Sequence, residues 1–396
     1  MLEHCCAAGK NGGNIAMQPK LNVKNMKIIK EIDVVCDLTA SERDILAIIL
    51  RSGPIARSGV TAKTQLAQQS VHRIIDSLER RGYLQFGAAK IVGRGKPSPT
   101  VSIDPSHYAS VGISVGTEDV RFCLMDLTGI PLVQEVANIA PVTPAEVIAA
   151  LKEKIADWFS TVAVNRTLVG VGISMQGFRD GSHDVFHPPQ PLFAWENIPI
   201  ETVLSRELHQ PVFAENNATS SVVAEHYLGA GNGHGCIAYL SFNHGFGAGI
   251  FWENRPFRGG HGNAGEISAI FSRDQLCHRP ALGELIKRLA DHNIDVNSVR
   301  DLTLRFEPDW PGIPEWLDEV KPQLQFALRA LQATIDPHAI FFGGEAPEEL
   351  RHMLVDIGKS AFTDERLPMP TLITSKLPGD PAHLGAALLP LHQLVF

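Results

Sequence analysis

The chain has 396 residues, 44% of them hydrophobic and 20% charged, which is enough for two or three domains and a large core. No run of about 18 apolar residues suggests a membrane span, and Met1 to Gly13 lacks the apolar centre of a secretory signal, so a cytoplasmic protein without a membrane partner is expected. The formal charge of −8 is unevenly divided: residues 1–100 carry 15 Lys+Arg against 8 Asp+Glu and the remainder 20 against 35, a basic head on an acidic body, as a nucleic-acid contact confined to one end requires.

Residues 1–37 are expected to form an N-terminal arm, partly disordered, in which Cys5-Cys6 is no site. A winged helix-turn-helix is expected over 38–104. Thr39-Ala40-Ser41-Glu42 fits a capping box that opens a helix bearing Ile45, Ile48 and Ile49, stopped by Gly53-Pro54. A second helix is predicted from Ser58 to about Leu66. After a turn at Ala67-Gln68, a third runs to Arg81 with Val71, Ile74, Ile75 and Leu78 as its buried stripe. That stripe leaves Gln69, Ser70, His72, Arg73 and Asp76 outward near the helix start, where a recognition helix meets base edges. Gln69, Ser70, His72 and Arg73 are therefore candidate DNA contacts, although His72 reads equally well as a solvated helix residue. Arg57, at the start of the second helix, is placed to clamp a phosphate, whereas Arg80 and Arg81 complement the helix dipole or solvate its face. A hairpin follows, Leu84 to Phe86 and then Lys90 to Val92, leading into Gly93-Arg94-Gly95-Lys96-Pro97. From Gly53 to Leu84 the pattern resembles the winged helix-turn-helix of ROK repressors (repressor, open reading frame, kinase). The resemblance makes Arg94 and Lys96 wing residues that meet phosphate or the minor groove.

From Tyr108 onward, strand-like and helical runs alternate, indicating an α/β architecture. Val111 to Gly116 is an apolar strand entering a tight turn, and Val120 to Asp126 a second strand. Ala145 to Val162 is an amphipathic helix and Leu168 to Ser174 another strand. His187-Pro188-Pro189-Gln190-Pro191 is a rigid loop. Asn216 and Asn217 end a strand and lead into a helix from Ala218 to Tyr227; their amides suit sugar hydroxyls, with capping of the helix as the alternative. Ala238 to Phe242 and Ala248 to Trp252 flank His244-Gly245-Phe246-Gly247, a Gly-rich hairpin that by itself is only a tight turn. Ala339 to Phe342 is a further strand, and residues 382–394 a terminal helix. Cys36, Cys123, Cys236 and Cys277 lack metal-ligand spacing.

Ala214-Glu215-Asn216-Asn217-Ala218-Thr219, Gly245 to Gly249 and Gly259 to Ile267 together resemble the core of the ROK family. That resemblance implies a two-lobed, actin-like (ribonuclease H-like) ATPase fold over residues 105–396. One lobe would comprise 105–217 with helix 382–394, and the other 218–381. ROK kinases carry Glu-Asn-Asp-Ala-Asn where this chain has Glu215 to Thr219, and their Asp removes the proton from the attacking sugar hydroxyl. Here that place holds Asn217, an amide that cannot take a proton near neutral pH. The family's Asp-x-Gly-Gly-Thr phosphate turn reads Ser114-Val115-Gly116-Thr117-Glu118, and Asn243-His244 replaces a Gly-Thr pair. Glu266 matches the family's sugar-binding Glu, with a structural Glu as the alternative. Glu284 matches the Glu that ends the family's zinc motif or is simply a helix N-terminal residue. Ser268-Ala269 and a lone Cys277-His278 cannot assemble the family's four zinc ligands, so neither metal nor cofactor is expected.

The resemblance thus implies a sugar-responsive transcriptional regulator, a repressor, with no catalytic residue. Asn216, Asn217, Glu266 and Glu284 would face a carbohydrate or sugar-derivative effector, and a homodimer or higher homo-oligomer would sit on operator DNA. The alternative is an ATP-dependent sugar kinase with an added DNA-binding head.

Overall fold

The computed structural model describes residues 37–87, 99–137, 143–181, 184–362 and 366–396. The basic head is a three-helix unit. Helix α1 (Ala40–Ser52) opens with the expected capping box: Thr39 Oγ1 accepts from Glu42 N, and Glu42 Oε2 accepts from Thr39 N at 2.8 Å. It ends at Gly53, whose φ of 65° lies in the left-handed region that glycine tolerates. Helix α2 (Arg57–Thr61) is shorter than predicted, because Lys63 N turns back to Val60 O and Leu66 N donates to Thr64 Oγ1, so local side-chain bonding ends the helix. Helix α3 (Gln68–Arg80) buries Val71, Ile75 and Leu78 against Ile45, Leu46 and Ile49. A small sheet completes the unit, with β3 (Thr100–Ile103) between β1 (Ile55–Ala56) and β2 (Leu84–Phe86). The strand returning to Leu84–Phe86 is therefore Thr100–Ile103; Lys90 to Val92 lies outside the described residues.

Two five-stranded sheets build the body. The first comprises β4 (Tyr108–Val115), β5 (Val120–Asp126), β6 (Pro131–Ala137), β7 (Thr167–Met175) and β10 (Val212–Asn216), in the order β10-β7-β4-β5-β6. Helices α4 (Pro144–Thr161) and α5 (Ile200–Leu208) cover one of its faces, and a short ribbon of β8 (Phe178–Arg179) and β9 (Phe186–His187) extends from it. The second comprises β11 (Cys236–Phe242), β12 (Phe246–Trp252), β13 (Arg255–Pro256), β14 (Ala339–Gly344) and β15 (Thr371–Thr374), in the order β13-β12-β11-β14-β15. Helices α7 (Leu282–Asp291), α8 (Val299–Arg305), α9 (Ile313–Ile335) and α10 (Glu348–Gly358) belong to this second lobe. Strands β4, β7, β11 and β14 are almost wholly buried, which explains why they read as apolar runs without alternation.

Two further helices join the lobes. Helix α6 (Asn217–Leu228) lies on β11 and β12, α11 (Ala382–Leu394) on β4 and β7, and the two pack on each other. Missing Cβ atoms make the approach possible: one at Gly172 would sit 1.8 Å from Ala386 O, and one at Gly385 1.7 Å from Ser220 O. No helix among the described residues is long and apolar enough to cross a membrane.

Candidate functional site

In the head, the start of α3 presents Gln69 and Arg73 exposed, with Ser70 and His72 half-buried beside them. Arg57 is engaged within the unit: its Nη2 pairs with Asp76 Oδ1 at 2.5 Å, and its guanidinium lies 4.8 Å from the Phe86 ring centroid. Arg80 Nε does turn back onto a helix carbonyl, Asp76 O, at 3.2 Å. Arg81 departs from the dipole expectation, because Nη1 reaches Glu42 Oε1 at 2.9 Å and Nη2 reaches Asp37 O at 2.6 Å. It thus locks the end of α3 to the cap of α1, a contact 39 residues apart in sequence. The head meets the body where Tyr83 stacks on Tyr108 at 4.4 Å, Tyr108 Oη donates to Arg81 O at 2.9 Å, and Arg43 Nη1 donates to Gln393 O at 2.9 Å. Arg94 and Lys96 lie outside the described residues.

Between the lobes of the body opens a cleft of ≈ 780 Å³. Asn216 sits on its floor with both ends of its amide used. Oδ1 accepts from Ala218 N at 2.8 Å and Thr219 N at 3.4 Å, capping α6; Nδ2 donates to Gly177 O at 2.8 Å and Glu266 Oε1 at 3.3 Å. Asn216 thus caps α6 and lines the cleft at the same time. Asn217, buried, accepts from Ser174 Oγ through Oδ1 at 2.6 Å and turns toward the cleft, and among the described residues its Nδ2 donates to nothing. Glu266 also lines the cleft, and burial pushes its carboxyl up to about 7, so it titrates in the neutral range. Glu284 does not join them. Its oxygens take Lys287 Nζ at 3.0 Å and Arg279 Nη2 at 3.8 Å, and it is Arg279 that reaches the cleft wall. The shortened segment before α7 puts Glu284 in the first turn of that helix.

Several cleft residues carried no sequence signal strong enough to single them out. Phe178 and Phe193, each 51% exposed, form an apolar side with Pro188, and His187 Nδ1 stands 3.5 Å from Glu196 Oε1. Phe178 comes from β8, and the Pro-rich loop with the turn after it carries the others; that loop was legible as a rigid segment, but not which of its side chains turn inward. Beneath the floor, Glu215 is fully buried between Arg179 Nη2 at 3.1 Å and Arg258 Nε at 2.5 Å, and its Oε1 accepts from Asn216 N at 2.9 Å. Asn263 Oδ1 accepts from Arg179 N at 2.7 Å, so the Gly-rich stretch before Glu266 is strapped to the first lobe.

Behind Asn217 the cleft narrows to a chamber of ≈ 40 Å³. Thr117, Gln176, Asn217, Asn243 and His244 line both spaces. Arg121, from β5, spans the lobes: Nη2 lies 2.7 Å from Glu345 Oε1 and 3.2 Å from Asp119 Oδ2, and Nη1 reaches Asp380 O at 3.3 Å. Glu118 bridges as well, accepting from Val299 N at 2.8 Å and Arg300 N at 3.0 Å at the start of α8. Asp380 accepts from Ser221 Oγ at 2.6 Å, Asn243 Nδ2 at 2.7 Å and Ala382 N at 3.1 Å. Burial raises the Asp380 carboxyl and pushes Glu345 up to about 7 in spite of Arg121 beside it. Burial works to lower the Arg121 pKa, but Glu345, Asp119 and Asp380 outweigh it and hold the guanidinium charged.

Comparison with known proteins follows the same two-part division. Residues 110–393 match the family model described as ROK family, and residues 37–94 the model described as MarR family. The chain is 24% identical over 284 residues to the xylose repressor of Caldicellulosiruptor bescii, covering 70% of each chain. The solved structure of a ROK family transcriptional regulator, a homologue of the E. coli MLC protein, superposes with a TM-score of 0.70 at 18% identity, over 90% of this chain and 96% of that one. A ROK hexokinase from Thermus thermophilus superposes with a TM-score of 0.57 at 23% identity, over 71% of this chain and 97% of the hexokinase. The body thus has the fold seen in solved structures of both a regulator and a kinase.

Proposed function

The chain belongs to the ROK family, and from that premise we propose that it is a sugar-responsive transcriptional repressor whose cleft senses a carbohydrate without phosphorylating it. The observation that carries this reading is the buried Asn217 amide, held by Ser174 Oγ at 2.6 Å on the wall between cleft and chamber. Phosphoryl transfer needs a group there that takes the proton of the attacking hydroxyl, and a carboxamide has no such capacity. Its idle Nδ2 and the Glu266 carboxylate suit recognition: one donates to a sugar oxygen, the other accepts from a sugar hydroxyl. Asp380, an acid of the chamber wall, accepts hydrogen bonds on both oxygens and serves as a structural tie.

The head supplies the output. Gln69, Ser70, His72 and Arg73 approach base edges and phosphates from α3, and the resembled wing motif adds Arg94 and Lys96 as candidate contacts outside the described residues. Arg57 joins them as a phosphate contact once its pairing with Asp76 yields to the stronger field of the duplex. The operator is bound by a homodimer or higher homo-oligomer, and sugar shifts DNA affinity by binding the two lobe arrangements unequally. Thermal-shift screening of neutral and phosphorylated sugars identifies the effector, and a coupled assay then measures ADP release with that effector, ATP and Mg²⁺. The reading expects a raised midpoint with no ADP release above background. Turnover at ordinary kinase rates, on the order of 1 to 100 per second, would establish the kinase alternative instead.

A further inference from the structure

Resting on the sugar-sensing reading, we infer that the effector is an uncharged sugar, and that the chamber behind Asn217 makes the chain discriminate against phosphorylated sugars. Space is the first reason. A cavity of ≈ 40 Å³ has room for a water or two, not for a phosphoryl group with its three oxygens. Enlarging it means parting the lobes at Arg121–Glu345 and at Glu118, whose carboxylate holds the first two amides of α8.

Charge is the second reason. The chamber wall carries Glu118, Asp119, Glu345 and Asp380 against Arg121 and Arg300. Arg121 is already held by Asp119 at 3.2 Å and Glu345 at 2.7 Å, so the guanidinium that spans the chamber is committed to carboxylates before any ligand arrives. A phosphate dianion placed there would have to displace a carboxylate from Arg121 and would stand beside the Glu118 and Asp119 carboxylates. The open cleft offers little compensation: its charged lining is Glu196, Glu266 and Arg279, and Arg279 stands 3.8 Å from Glu284. A cleft of neutral amides and half-exposed rings, with repulsion set at its inner end, selects by attraction to one ligand class and penalty against another. Gln176, Asn217 and Gln190 offer donors and acceptors to hydroxyls, and Phe178 and Phe193 offer apolar faces to the C–H side of a sugar ring.

Isothermal titration of the full chain tests this with neutral pentoses, hexoses, N-acetylhexosamines and disaccharides, each hexose and hexosamine paired with its 6-phosphate. The free sugar is expected to bind at least about tenfold more tightly than its phosphate. Glu345→Gln, which takes the 2.7 Å carboxylate from Arg121 and leaves it with Asp119, is expected to narrow that ratio by about tenfold. Glu118→Gln serves as a second variant of unchanged shape and shifts the ratio in the same direction. A 6-phosphate that binds as well as or better than its parent sugar overturns the inference while leaving the sugar-sensing reading intact. So does an unmoved ratio in both folded variants. If neither class binds, the sugar-sensing reading itself falls.

Discussion

Replacing Asn216 by alanine removes three interactions whose sizes follow from the geometry. The cap of α6 is lost, with Ala218 N at 2.8 Å and Thr219 N at 3.4 Å from Oδ1, and such a cap contributes about 1 kcal/mol. The donor to Gly177 O at 2.8 Å goes too, leaving a half-buried carbonyl unpaired at a cost of about 1 kcal/mol. The longer contact to Glu266, 3.3 Å, adds about 0.5 kcal/mol. A loss of about 2 to 3 kcal/mol is expected, read as a lower urea midpoint at unchanged slope. Asn216→Asp separates the roles. It keeps the cap and favours the helix dipole, but it cannot donate to Gly177 and sets a second carboxylate beside Glu266. It is therefore expected to lose only about 1 kcal/mol of stability while its sugar affinity, measured by titration calorimetry, falls at least as far as that of Asn216→Ala. An Asn216→Asp variant indistinguishable from the parent in sugar affinity would refute the claim that this residue organises the cleft as well as capping the helix.

Because the Glu266 carboxyl titrates at about 7 in the empty cleft and accepts from sugar hydroxyls when ionised, sugar affinity should rise with pH and level off above that value. A drop of about tenfold per unit below it is the limiting slope, and Glu266→Gln should flatten the profile. Gly385→Ala places a methyl 1.7 Å from Ser220 O between α6 and α11, and is expected to lower the thermal midpoint through about 1 to 3 kcal/mol of overpacking. A midpoint equal to the parent's would mean that the two helices separate freely. Arg73→Ala should weaken duplex binding and reduce the salt dependence by about one counterion if Arg73 meets a phosphate, as titrations between 50 and 200 mM salt would reveal. An unchanged slope would place Arg73 off the backbone.

What the sequence made legible was local. Thr39 and Glu42 cap one another three residues apart, Asn216 caps the helix it begins, and the buried strands from Val111, Leu168, Ala238 and Ala339 show as apolar runs. Each signal depends on residues within a turn or a strand, where spacing alone decides the partner. The contacts between residues far apart in the chain could not be read in the same way. Glu118 finds Val299 N across 181 residues and Ser221 finds Asp380 across 159, and no spacing rule announces either. Glu118 and Asn217 were visible only as departures from a resembled motif, which marked the place but not the new partners. Glu284 shows the converse: a shortened segment left a plausible match, and the local pull of Lys287 and Arg279 turned the side chain away from the cleft. The second helix of the head ended early for a similar reason, since Thr64 hydrogen bonds compete with a helical turn that its apolar spacing allowed.

The most direct test is fluorescence anisotropy of a labelled duplex from upstream of the chain's own coding sequence, titrated with the full chain in the presence and absence of the sugar that raises its thermal midpoint. The account predicts specific binding in the range of about 10⁻⁸ M or tighter. It also predicts a shift of at least about fivefold when the sugar is added. A duplex that is never bound above non-specific DNA, or an affinity that the bound sugar leaves unchanged, would contradict it.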